Sequence, residues 1–140
     1  MFKNNGKLSD SVVKQFETNI NIRLPEIYRN FLMTTNGGIA NNIALHSDAI
    51  GNFLLNCMFG VGLEDAFDLS FWRSELKDDI PNWGLLIGSD VGGGFFMLDM
   101  RDGESKVYYY DHSYVFNSSS NDENTYLIFK SFSELLLKIR

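Results

Sequence analysis

Apolar positions recur at helical spacing in three places along the chain. After Ser9 or Asp10 as N-cap, Val12, Val13, Phe16 and Ile20 fall on one side of a short helix that stops near residues 19–21. Tyr28, Phe31 and Leu32 give a second helix its stripe, with Pro25 suited to its first position, where a missing N–H costs nothing. Asn36-Gly37-Gly38 ends that helix, because these residues accept the left-handed backbone of a helix C-terminus. Near the end of the sequence, Ser131 and Glu134 form a capping box, and Phe132, Leu135, Leu136 and Ile139 fall at i, i+3, i+4 and i+7.

The middle of the chain carries a different pattern. Residues 53–59 are rich in large apolar side chains and read as a buried strand, while residues 64–77 hold Phe67, Phe71 and Trp72 at mixed spacing and read as a helix. From Trp83 onward the pattern is β: Leu85-Leu86-Ile87, Phe95-Phe96-Met97-Leu98 and Val107-Tyr108-Tyr109-Tyr110, each bounded by Gly, Asp or Ser. These three strands predict a meander, with Asp102-Gly103 as a turn before the last. Residues 117–124 have the polar bias of a surface loop. The expectation is an α+β domain over residues 1–140. Its mostly antiparallel twisted sheet has the N-terminal and C-terminal helices packed on one face, leaving the other available.

Composition narrows the function classes. At 140 residues and 44% apolar content the chain can bury a sizeable core, so disordered and fibrous classes fall away. A formal charge of -6 argues against nucleic acid as the main partner, because phosphate binding needs a Lys/Arg surface that releases counterions. Cys57 is the only cysteine, so no internal disulfide is possible. The first seven residues lead into no apolar segment, and no stretch approaches the roughly 20 apolar residues that span a bilayer. A cytoplasmic protein without a membrane role is expected.

The order of motifs then adds a resemblance. Leu24-Pro25-Glu26-Ile27-Tyr28-Arg29-Asn30-Phe31-Leu32 followed by Asn36-Gly37-Gly38 resembles the "LP..Y..FL...NGG" signature of SUKH-superfamily proteins, the Smi/Knr-like domains. Ile87-Gly88-Ser89-Asp90-Val91-Gly92-Gly93-Gly94 is similar to that family's "IG.D..G" element, and Val107 with Asp111-His112 to its "V...DH" strand. Ser131-Phe132-Ser133-Glu134-Leu135-Leu136 is similar to its closing "SF.E.L" helix. The resemblance implies an α+β fold and, for many bacterial members, an immunity protein that neutralises a cognate secreted toxin. Other members look like regulatory or scaffold domains. The family has no agreed catalytic residues, and Gly92-Gly93-Gly94 is richer in glycine than its usual turn.

Candidate chemistries weaken on inspection. Gly88 to Gly94 lacks the Lys and Ser/Thr of a P-loop, and Asp90 would repel a phosphate; a tight turn is the better account. Cys57 lies among Leu54, Leu55, Met58 and Phe59 without a basic neighbour, which suits a buried inert thiol. His46 with Asp48 and His112 with Asp111 are far weaker than a metal-binding C-x-x-C or H-E-x-x-H, and Asp99, Asp102 and Glu104 lack EF-hand alternation. No Gly-x-Ser-x-Gly elbow is present. No enzyme activity, cofactor or metal is expected.

Charge placement is what remains. Residues 60–104 carry ten Asp/Glu against three Lys/Arg, so the whole deficit sits in the middle third. Glu64, Asp65, Asp68, Asp78 and Asp79, with Trp72 among them, are the candidate partner-binding residues; Tyr108 and Tyr110, on one face by strand alternation, are next. An acidic surface suits a basic partner such as a nuclease toxin. The leading expectation is a non-enzymatic immunity protein. The alternatives are an intracellular regulatory or scaffold domain and, third, an unrecognised hydrolase.

Overall fold

A computed structural model describes residues 2–101, 103–111 and 125–139. The expected loop over residues 117–124, Asp102 of the expected turn, and His112 lie outside these described residues. In chain order the elements are β1 (Phe2–Asn4), α1 (Asp10–Ile20), α2 (Glu26–Thr35), β2 (Gly38–Ala40), β3 (Ala44–Ser47) and β4 (Gly51–Met58). A 3₁₀ turn (Asp65–Phe67) and α3 (Leu69–Glu75) follow, then β5 (Gly84–Asp90), β6 (Phe95–Asp99), β7 (Val107–Tyr110), β8 (Thr125–Phe129) and α4 (Phe132–Ile139). This is the expected α+β class, with every strand pairing in the sheet antiparallel.

Helix ends follow their capping chemistry. The Ser9 hydroxyl accepts the Val12 N–H, and α1 stops at Asn21 in the left-handed region (φ 57°). Pro25 precedes α2 as its N-cap rather than opening it, with extended backbone (ψ 140°), and α2 ends at Asn36 (φ 50°). The two helices are tied together by Arg29, whose guanidinium donates to Glu17 at 3.1 Å and reaches Asp10 at 2.8 Å. Glu17 also accepts the Leu24 N–H at 2.8 Å, so the α1–α2 connection is fixed from the same carboxylate.

The sheet runs β1-β2-β4-β5-β6-β7-β8, with β3 pairing only with β4. The β5-β6-β7 meander is as expected. Strand β4 differs. Its inner part pairs with β2 and β5, but its first four residues pair only with β3, as a hairpin that extends past the sheet. Leu55, Cys57 and Met58 are therefore buried, whereas Leu54 and Asn56 are exposed, and the buried strand expected over residues 53–59 is only partly realised. The expected helix over residues 64–77 is also broken. Asp68 takes extended backbone (φ -105°, ψ 128°) and its carboxylate accepts N–H bonds from Gly62, Leu63 and Phe71, so a 3₁₀ turn ends there and a new helix begins.

The core is continuous and rich in rings. Phe132 of α4 meets Tyr28 and Phe31 of α2 edge-on, at 5.2 and 5.4 Å between centroids. All five residues of β6 are buried, so neither sheet face is open at its centre. Phe95 packs against Trp72 of α3, and its neighbour Phe96, on the opposite face, against Phe53 and Tyr109. The free sheet face expected from sequence is absent there.

The stripe on α4 is tested by its two neighbouring leucines. Leu135 is fully buried and Leu137 is 71% exposed. Leu135→Ala should lower the stability measured by urea denaturation by about 2–5 kcal/mol, and Leu137→Ala by no more than about 0.5 kcal/mol. Equal losses would contradict the packing of α4.

Candidate protein-binding surface

The candidate residues gather on the segment from the 3₁₀ turn to the bend after α3. This segment is anchored from below. Leu69 and Leu76 are buried, and Trp72 stacks on Phe59 at 6.0 Å and meets Phe95 at 5.0 Å. The Trp72 indole N–H donates to the Ala66 carbonyl at 3.0 Å, closing the 3₁₀ turn over α3. Arg73 donates to the carbonyl of Ile20 at 3.1 Å, a favourable place for a cation because the C-terminus of α1 is negative. Trp72 is thus half-buried and held by both its ring and its N–H.

The carboxylates of the middle third divide into two groups. Glu64, Asp65, Glu75, Asp78 and Asp79 are exposed, and none forms an ion pair among the described residues. They flank α3, Glu64 and Asp65 before it and Glu75, Asp78 and Asp79 at its far end. Asp68 belongs to the other group, since its two oxygens are used by three backbone amides. Asp90 is 7% exposed; one oxygen accepts the Gly94 N–H at 2.7 Å and the other the Tyr109 hydroxyl at 2.9 Å. Burial, then the bond to Asp90, then the charges of Asp90 and Asp111 push the Tyr109 phenol well above its ordinary pKa, so it stays a donor. Asp99 is held by Arg101 through bonds of 3.1 and 2.8 Å. Burial raises its pKa, but the Arg101 guanidinium and amide outweigh burial and keep the carboxyl below the usual range. Glu104 pairs with Lys106 at 3.0 Å.

The two tyrosines fare differently. They share a face, as their pairing with Met97 and Phe95 requires, but Tyr110 is 1% exposed and sits beside Phe95 in the core. It is withdrawn as a partner-binding residue: strand alternation assigns a face without saying whether that face is covered. Tyr108 is half-buried, edge-on to Trp83 at 5.4 Å.

The remaining motifs are structural. Of the Gly88 to Gly94 segment, residues 88–90 end β5 and residues 91–94 form the expected β5–β6 turn, in which only Gly93 has positive φ (96°). Gly94 is glycine for another reason, since a Cβ there would collide with the Tyr109 ring and hydroxyl. Cys57 is buried against Ser89, and burial pushes its thiol pKa up. His46 is exposed and meets Asn52 at 2.8 Å. Among the described residues no group of three or more His, Cys, Asp or Glu side chains converges on a point. Sequence reasoning missed the buried Asn36, whose side chain bonds to Val61 in both directions, because a helix-ending Asn gives no sign of a contact 25 residues away.

The division of carboxylates predicts unequal effects. Asp68→Ala should cost about 1–3 kcal/mol of stability through loss of a cap and two stranded loop amides, while Asp78→Ala stays within about 0.5 kcal/mol. Urea denaturation measures both, and a loss below about 0.5 kcal/mol for Asp68→Ala would refute its structural role.

No curated protein matches the sequence closely enough to count as a relative. The model of the SMI1 / KNR4 family (SUKH-1) matches residues 7–138, from before α1 to the last turn of α4. That span holds the capped α1–α2 pair, the Asn36-Gly37-Gly38 corner, the meander and the closing helix in one order, and the chain belongs to the SMI1 / KNR4 (SUKH-1) family.

Proposed function

We propose that this SUKH-1 domain is a non-enzymatic immunity protein that binds one cognate secreted toxin, without a cofactor, in the cytoplasm. The observation that carries the reading is the row of exposed carboxylates at Glu64, Asp65, Glu75, Asp78 and Asp79, unpaired among the described residues and set on a segment anchored through Trp72 and Leu69. Anchoring matters because a preformed surface loses little conformational freedom on binding. Carboxylates not neutralised within the fold retain their field for a partner. A toxin with a positive active-site cleft, such as a nuclease, would be drawn to this surface by long-range attraction, and its cleft would be closed to a polyanionic substrate. No helix among the described residues is long and apolar enough to cross a membrane. The regulatory or scaffold alternative would use the same surface toward a different basic protein.

The test changes Glu64 and Glu75 to Gln and Asp65, Asp78 and Asp79 to Asn together, leaving Asp68 in place because it caps α3. Unfolding stability should change by less than about 1 kcal/mol. Association with the toxin encoded beside its gene should slow by about tenfold or more at roughly 20 mM salt, and far less at roughly 200 mM. An unchanged rate at both salt concentrations would refute this surface. Failure of the unaltered protein to bind that toxin would refute the immunity function itself and leave the scaffold reading.

A further inference from the structure

Asparagine is followed by glycine twice in the chain, at Asn5-Gly6 and at Asn36-Gly37. Such a pair has a chemistry of its own. The backbone nitrogen of the second residue attacks the side-chain Cγ of the first; a C–N bond forms, the side-chain nitrogen leaves as ammonia, and a succinimide ring results. Water then opens the ring at either carbonyl, giving aspartate or isoaspartate with no change of oxidation state. Glycine favours the attack because no Cβ shields its nitrogen and its backbone reaches conformations closed to other residues.

The fold treats the two sites differently. Asn36 is 7% exposed, and both ends of its side chain are bonded to Val61, at 2.7 and 3.2 Å. Gly37 is packed against the carbonyls of Met58 and Phe59, and its N–H donates to the Thr35 hydroxyl at 3.1 Å. Swinging the Asn36 Cγ onto the Gly37 nitrogen would break both bonds to Val61, so reaction there waits on local opening. Asn5 is exposed, and among the described residues its side chain makes a single hydrogen bond, from Nδ2 to the Asn36 carbonyl at 3.1 Å. The space beside Gly6 is open, since a Cβ there would meet nothing within 4 Å. The Gly6 N–H donates to the Asn4 side chain at 3.0 Å, but that partner is exposed and can turn to water.

We infer that Asn5 is a site of spontaneous deamidation, that Asn36 is protected from it by the fold, and that reaction at Asn5 loosens the contacts Asn36 makes. The nitrogen lost as ammonia is the atom that donates to the Asn36 carbonyl. Deamidation replaces this donor with a carboxylate, so two acceptors face each other where a hydrogen bond stood. Isoaspartate also inserts a backbone carbon between Asn5, whose N–H donates to the Thr35 and Gly37 carbonyls at 2.8 and 3.3 Å, and Gly6. The segment after β1 is thereby released from the end of α2 by a one-way chemical step.

Peptide mapping by mass spectrometry tests the site on the full chain aged in mildly alkaline buffer, folded and in parallel in concentrated urea. In urea the two asparagines should convert at rates within about threefold of each other, because each is then an Asn-Gly pair in an open chain. Folding should slow Asn36 by about a hundredfold or more and Asn5 by about tenfold or less. Slowing of both by similar factors would overturn the assignment. The structural consequence is read by amide hydrogen exchange at Val61, whose N–H donates to the Asn36 side chain, in Asn5→Asp and in Asn4→Asp as a control of equal charge. Exchange should quicken by about fivefold or more in Asn5→Asp and by less than about twofold in Asn4→Asp. Equal rates in the two variants would overturn the link between Asn5 and Asn36.

Discussion

The side chain of Asn36 bonds in both directions to the backbone of Val61. Its carbonyl oxygen accepts the Val61 N–H at 2.7 Å and its amide donates to the Val61 carbonyl at 3.2 Å, while its own backbone carbonyl accepts from Asn5 at 3.1 Å. The residue is 7% exposed and left-handed, so one position ends α2, pins the chain leaving β4 and holds the segment after β1. The contact tolerates no side chain around it. A Cβ on Gly37 would strike the carbonyls of Met58 and Phe59, one on Gly38 the Lys3 carbonyl and the Phe2 ring, and one on Gly60 the Asn36 backbone and side chain. The segment that follows β4 sets out from this corner. Phe59 leaves it to stack under Trp72, and Gly60 pairs with Asp68, which fixes where α3 begins.

The same logic holds for the other residues that carry the resemblance to the family. Tyr28 and Phe31 of α2 meet Phe132 of α4 edge-on, closing the ring cluster, and Asp90 joins the β5–β6 turn to Tyr109 of β7. Each is consumed by internal contacts. These positions build the scaffold. The five exposed carboxylates about α3 lie outside the motifs and outside these contacts.

How much of this was legible in the sequence depended on whether the signal was local. Ser9, Asn21 and Asn36 act where capping chemistry places them, and the α4 stripe and the meander follow from spacing alone. β1, β2 and β3 were not legible, because three or four residues give no period and their pairing is set by β4. Asp68 defeated the helix expected over residues 64–77, since a carboxylate looks the same in sequence whether it faces water or caps three amides. For that reason the charge count located the acidic segment but could not separate Asp79 from Asp90. Tyr110 failed similarly, as alternation fixes direction but not depth.

Comparison of two glycine variants by chemical denaturation tests the central claim most directly. Gly37 and Gly93 both have positive φ, 70° and 96°, but a Cβ on Gly93 meets nothing within 4 Å, whereas one on Gly37 meets backbone carbonyls. Gly93→Ala should cost about 1–2 kcal/mol, the strain of a left-handed L-residue alone. Gly37→Ala should exceed that by about 2 kcal/mol or more, or prevent folding, because the backbone at Met58 and Phe59 must move. Equal losses for the two variants would show that the Asn36 corner is not the constraint on which the fold depends.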